Sequence, residues 1–411
     1  MASRYFQHTF PGGLTLLGEA MSGVQSAGMT LMIPSGAGND PADVRGAATV
    51  LSDLVLRGAG ERNSHQLMEH LDSLGLVRSS GVGVHHTQFS CAGVAPKVMA
   101  ALPAYADIIR RPHLPSEGFE AARDLALQAI AGIDDDPRQK LLIALRELFF
   151  PAPLGRNPMG RKPDLERLTL ETCRAEHTRR YRGNGAIMAV AGDIDFDSLR
   201  REVERGFGDF GGAAPAVPHP SLPPPGRHFE MQSSEQTHIG IACASILPTD
   251  PDYYAMRVAI EALGGGTSGR LFTELREKRG LVYSVWAGYG GMKEMGAILG
   301  YAGTSSERAQ ATLDCFVEEL AKLSRGLEAP EVERARIGLK ANTIMEGESS
   351  SSRAAGLAHD YFTFGRPRTL EEIAAAIDAV TVDHVNRYLL AHLPGDLTVA
   401  IVGPRELKWP A

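Results

Sequence analysis

The strongest constraint on this chain is residues 211–226, GGAAPAVPHPSLPPPG, which hold six prolines. Proline lacks a backbone donor and fixes φ, so this stretch cannot be helix and is disfavoured as central strand. It reads as a semi-extended linker. It divides the 411 residues into 1–210 and 227–411, segments of similar length. A chain this long exceeds one ordinary core, so its length predicts two or three domains, and the linker favours two.

The two segments resemble each other in order and in detail. Asn39-Asp40-Pro41 precedes the first long apolar helix of one, and Thr249-Asp250-Pro251 precedes that of the other. Late in each, a His, an Arg-Tyr pair, a loop and an apolar run ending in Gly follow one another. They read EHTRRYRGNGAIMAVAGD at 176–193 and DHVNRYLLAHLPGDLTVAIVG at 383–403. Two matches in one order favour an internal duplication. Strand-like runs open each half, at 28–33 and 238–243, and long helical patterns follow at 119–133 and 329–345. The expected fold class is therefore α+β: two homologous domains, each a mostly antiparallel sheet packed with helices.

A net charge of −7 argues against a dedicated nucleic-acid binder. Cys91, Cys173, Cys243 and Cys315 are far apart, with no C-x-x-C pair, and read as reduced buried thiols. The N-terminal residues show no signal-peptide pattern, and no apolar run is long enough for a membrane span. A cytoplasmic location without membrane association is the expectation.

Within 46–60, GAATVLSDLVLRGAG, residues Val50, Leu51, Leu54 and Val55 form an apolar stripe at helical spacing, and Thr49, Ser52, Asp53 and Leu56 share a neighbouring face. This segment resembles the zinc helix of the pitrilysin/insulinase-type, mitochondrial-processing-peptidase-like inverted zincins. In their H-x-x-E-H motif two histidines on one helical face bind zinc and the glutamate activates water. By the resemblance, Thr49 stands at the first His, Ser52 at the Glu and Asp53 at the second His. The family's third ligand is a Glu eight residues before the Pro of Asp-Asp-Pro; here that position is Ala129, before Pro137. The stretch PLGRNPMG at 153–160 also resembles the family and anchors the register. The resemblance thus implies no metal site in this chain.

Other histidines offer no substitute. His65 and His70 flank a stretched zinc-like pattern but lie about 140° apart on a helix. That helix has an N-cap signal at Asn63-Ser64. His85 and His86 are adjacent in a strand-like run and are expected on opposite faces.

Residues 263–285, LGGGTSGRLFTELREKRGLVYSV, carry the positive signal. Gly264, Gly265 and Gly266 are expected to end one helix, a short helix to run to about Arg279, Gly280 to end it, and a strand to begin at Leu281. The glycine run lacks the G-x-x-x-x-G-K-[ST] phosphate-loop pattern. The segment resembles the C-terminal domain of the same family, where an Arg and a Tyr seven residues later bind the substrate carbonyl near the scissile bond. Those positions are Arg276 and Tyr283. The residue types suit that chemistry, since a guanidinium holds a peptide carbonyl and a phenol stabilises a developing oxyanion.

The resemblance covers nearly the whole chain. It implies the metal-free subunit of a heterodimeric zinc endopeptidase, inactive alone. A homologous H-x-x-E-H subunit would hold the zinc, and Arg276 and Tyr283 would complete that site in trans on peptides or unfolded segments. The alternative is a proteolytically inactive scaffold or peptide-binding protein of the same fold.

Overall fold

A computed structural model describes residues 4–392 and 394–409. Strands β1 (Arg4–Thr9), β2 (Thr15–Ala20), β3 (Ser26–Ile33), β4 (Val77–Val82), β5 (Thr87–Val94) and β6 (Ile187–Gly192) form one sheet in the order β1-β2-β6-β3-β5-β4. Strands β7 (Arg227–Met231), β8 (Gln236–Ser245), β9 (Val282–Tyr289), β10 (Gly296–Ser305) and β11 (Thr398–Gly403) form a second, ordered β7-β11-β8-β10-β9. The β2–β6 and β7–β11 pairs are parallel, and all other pairs are antiparallel. Without β1, the two sheets share one strand order and one sequence of pairings. Duplication explains that identity, and the α+β class stands.

The central strands explain the layering. Every residue of β6 and β11 is buried, as is all of β3 after Ser26 and of β8 from Thr237 to Cys243. Strands buried on both faces need helices on both sides. In the first sheet, Met29, Leu31, Met188 and Val190 face a core with Val50, Leu51, Val98, Leu102, Leu199 and Val203. These come from helices Ala47–Leu54, Ala95–Arg110 and Phe196–Phe207. The opposite face, with Leu17, Met32, Ile187, Ala189 and Ala191, meets Ala354, Leu357 and Ala358 of helix Ser350–Phe364. That helix comes from the far end of the sequence.

The second sheet is built the same way. Ile239, Ile241, Val399 and Ile401 meet Met256, Ala259 and Leu263 of helix Tyr253–Gly264 and Leu313, Phe316 and Leu320 of helix Ala309–Lys322. The other face of β8 and β11 is covered by helix Pro137–Phe149, from the first half of the chain. The compact units are therefore not contiguous. One runs to Gly132 and adds Arg156–Pro218 and Glu346–Pro367; the other holds Ile133–Gly155, His219–Met345 and the residues from Arg368. The passage after Pro218 falls inside the proline-rich segment.

Local expectations fare unevenly. Helix Ser64–Ser73 starts at Asn63 with a reciprocal cap to Gln66, and His65 is exposed. The four cysteines are free and buried. His85 and His86 lie in the turn between β4 and β5 rather than in a strand. Both rings reach Phe362, at 5.2 and 4.6 Å between centroids, so the expected opposite-face arrangement does not hold. The turn interrupts the alternation that a continuous strand would impose.

Helix Ser350–Phe364 is held by charge as well as packing. Arg353 Nε donates to Glu19 Oε2 at 2.9 Å, and Tyr5 Oη donates to Glu19 Oε1 at 3.2 Å. Both charged partners are buried. A buried pair contributes little against an apolar replacement, but removing one partner strands the other charge. Arg353→Ala is expected to destabilise the protein by about 3–5 kcal/mol, whereas Glu19→Leu combined with Arg353→Met should be near neutral. Calorimetric unfolding of the single and paired variants checks this; equal losses in both would show that packing, not the stranded carboxylate, governs the contact.

Candidate functional site

The helix that resembles a zinc helix is Ala47–Leu54. Val50, Leu51 and Leu54, with Val55 just beyond it, are fully buried, as the stripe predicts. Its N-terminus is fixed by Asp40. The carboxylate accepts Gly46 N at 2.7 Å and Ala48 N at 3.0 Å, and Arg180 Nη1 donates to it at 2.8 Å. Arg180 is wholly buried, with Nε 2.8 Å from Glu176. Burial pushes the Asp40 carboxyl above its ordinary range; Arg180 opposes that rise. Gly46 enters the helix at φ +96°, a conformation that disfavours other residues.

The side chains at the ligand positions are engaged elsewhere. Thr49 Oγ1 donates to Pro158 O at 2.6 Å, and Ser52 Oγ donates to Thr49 O at 2.8 Å. Asp53 Oδ2 lies 2.6 Å from Arg57 Nε, one turn on. Ala129 is exposed on helix Ser116–Asp134 and has no donor atom. Zinc needs imidazole, thiolate or carboxylate donors converging in a tetrahedron. Two hydroxyls turned to carbonyls, one ion-paired carboxylate and a methyl group do not fit zinc. Among the described residues, Cys315, Glu318 and Glu319 are the only group of three or more with ligand atoms close enough to share an ion. There Lys322 Nζ sits 2.9 Å from Glu318 and 2.8 Å from Glu319, so both carboxylates already pair with an ammonium.

Arg276 and Tyr283 lie in the other unit, Arg276 in the segment that joins helix Tyr253–Gly264 to β9 and Tyr283 in β9. Gly266 at φ +61° allows the chain to turn after that helix. Arg270 anchors the return: its guanidinium makes two bonds to Glu331, at 2.6 and 2.8 Å, and one to Gly326 O at 3.1 Å. The expected short helix is present but π-helical, Phe272–Lys278. Leu271 and Leu275 are fully buried, which leaves Phe272 and Arg276 on the outward side. Gly280, at φ +59°, ends the turn as expected. Its carbonyl accepts Arg308 Nη1 at 2.5 Å, and that of Leu281 accepts Thr304 Oγ1 at 2.6 Å.

Tyr283 sits on a bulge. Ser284 pairs with Gly303 and Val282 with Thr304, so Tyr283 has no partner on β10. β9 is an edge strand, and Tyr283 is 57% exposed. Arg276 Nη1 donates to the Tyr283 carbonyl at 2.6 Å. The structure thus brings the two residues together through a main-chain oxygen, and both side chains reach solvent. The remaining guanidinium N–H groups and the phenol make no hydrogen bond with described residues, so they are available as donors.

Sequence reasoning missed two side-chain clusters, one in each unit. One is the buried Asp40–Arg180–Glu176 cluster, whose only signal was the repeated Asp-Pro and Arg-Tyr pairs. The other is the network behind β9. His238 Nδ1 lies 2.8 Å from Tyr301 Oη, and Trp286 stacks near Tyr301. Burial lowers His238 below the ordinary histidine range, favouring the neutral ring.

Residues 17–160 match the family described as Insulinase (Peptidase family M16), and residues 167–339 match the Peptidase M16 inactive domain. An uncharacterised zinc protease of Mycobacterium tuberculosis is 29% identical over 97% of this chain and 93% of its own length. A Pseudomonas fluorescens structure, described as a peptidase M16 inactive domain, superposes with a TM-score of 0.89 at 21% identity and covers 99% of each chain. A protease from Helicobacter pylori also reaches 0.89, at 19% identity, over 98% of this chain and all of that one. With both family regions in order along one chain, and with a fold shared end to end, this protein belongs to peptidase family M16.

Proposed function

We propose that this chain is the metal-free subunit of a heterodimeric M16 endopeptidase. It lends Arg276 and Tyr283 to a zinc centre held by a homologous H-x-x-E-H subunit. The observation that carries the reading is a contrast within one chain. The ligand positions Thr49, Ser52, Asp53 and Ala129 cannot bind zinc, while Arg276 and Tyr283 are coupled, exposed and rich in unused donors. A zinc ion in the partner would supply the activated water.

This chain's own residues bind and polarise. The free edge of the Arg276 guanidinium holds a carbonyl of an extended peptide, and charge makes that hydrogen bond strong. The Tyr283 phenol donates to the oxygen on which negative charge develops during attack. Peptide lying along an exposed strand edge gains main-chain hydrogen bonds with modest side-chain selectivity, which suits unfolded segments.

The isolated chain is expected to hold only sub-stoichiometric zinc by elemental analysis and to cleave no peptide. Mixed with an H-x-x-E-H subunit from the same cell, it should yield chelator-sensitive cleavage of an unstructured fluorogenic peptide. A tightly bound zinc in the partner-free chain, with its own hydrolysis, would overturn the reading. So would a complex that binds peptide without ever cleaving it, which would point to a scaffold or peptide-binding role.

In the active complex, Arg276→Ala or Tyr283→Phe should lower kcat by about 10²–10³-fold, the usual loss on removing one oxyanion donor. Steady-state kinetics with both variants decide the point. Unchanged kcat in both would remove the pair from the chemistry.

A further inference from the structure

We infer that Phe272 is the positioning residue for Arg276, holding the guanidinium over its ring so that the N–H edge stays free for substrate. The inference rests on the proposed role of the Arg/Tyr pair and extends it to a residue with no assigned part.

The geometry is specific. Arg276 Cζ lies 5.2 Å from the centroid of the Phe272 ring, four residues earlier in the same π-helical segment. On another side, Nη1 reaches the Tyr283 carbonyl at 2.6 Å. An exposed arginine otherwise samples many rotamers, so one hydrogen bond alone defines its edge poorly. The ring and the carbonyl together restrain the guanidinium at two points.

An aromatic face is the right restraint here. A cation–π contact places the cation over the ring face and offers no acceptor oxygen, so it leaves the N–H groups available. A carboxylate would take two N–H groups in a fork and block the edge that a peptide carbonyl needs. Nearby acids are diverted accordingly. Glu274 pairs with Lys278 at 2.6 Å, and Glu318 pairs with Lys322 at 2.9 Å and Arg279 at 3.5 Å. Phe272 is itself half-buried beside the fully buried Leu271, so its ring has a fixed seat.

Phe272→Leu retains an apolar side chain in that seat and removes the aromatic quadrupole; Phe272→Tyr retains both. In the isolated chain, relaxation of the Arg276 ¹⁵Nε signal, assigned with Arg276→Lys, should report an ordered side chain in the parent and in Phe272→Tyr and a mobile one in Phe272→Leu. In the active complex, Phe272→Leu should lower kcat by about two- to fivefold, the range of one exposed cation–π contact, and Phe272→Tyr should restore it. An Arg276 equally ordered in all three chains overturns the inference. So does Phe272→Leu at parental kcat where Tyr283→Phe is impaired, an outcome that leaves the Arg/Tyr reading standing. If Tyr283→Phe and Arg276→Ala are both harmless, that reading fails instead, and Arg276 order alone then decides the role of Phe272.

Discussion

Strands buried on both faces dominate this structure. β3, β6, β8 and β11 have almost no residue that tolerates water, so each sheet requires two helical layers. One layer comes from the local sequence. The other comes from the opposite half of the chain, as helix Ser350–Phe364 for one sheet and Pro137–Phe149 for the other. Close approach makes the requirement strict. A side chain at Gly28 would begin 2.6 Å from the Ser351 backbone, so β3 accepts that helix only with glycine there. The exchange makes the halves interdependent, because neither half of the sequence can complete its own sheet alone.

This scaffold holds the helix in place without zinc donors at Thr49, Ser52 and Asp53. Helix Ala47–Leu54 is held by the Asp40 cap, by Arg180 behind it and by a fully buried apolar stripe. None of these contacts involves a metal. Thr49, Ser52 and Asp53 instead form short-range hydrogen bonds and an ion pair that satisfy their polar atoms locally. A helix secured by its cap and its inner face needs none of those three side chains to stay in place.

The legible parts of the sequence were those governed by local pattern. The buried stripe of Val50, Leu51, Leu54 and Val55, the glycine stop at Gly280 and the runs that became β3 and β8 all follow from periodicity or from glycine's conformational freedom. The duplication was legible because each half repeats its Asp-Pro and Arg-Tyr pairs. The helix exchange was hidden. An amphipathic pattern says that Leu141 and Leu145 are buried, not which sheet buries them. The π-helical turn was hidden too, since its composition does not differ from that of an α-helix. His85 and His86 misled because the hairpin turn between β4 and β5 falls within an otherwise continuous strand-like run.

The duplication also supplies an internal control for the candidate site. β4 and β9 occupy equivalent edges of equivalent sheets, paired with β5 and β10. β4 pairs with β5 in unbroken register from Val77 to Val82. β9 bulges at Tyr283, and the segment leading into it is π-helical. Both irregularities interrupt regular hydrogen bonding, and each re-aims a side chain. Shared topology does not demand them, because the first sheet does without the bulge. Their effect is local: they turn Tyr283 outward from the edge and bring its carbonyl to Arg276. The departure from regular geometry in only one of two equivalent edges thus falls at Arg276 and Tyr283, the pair on which the proposed function rests.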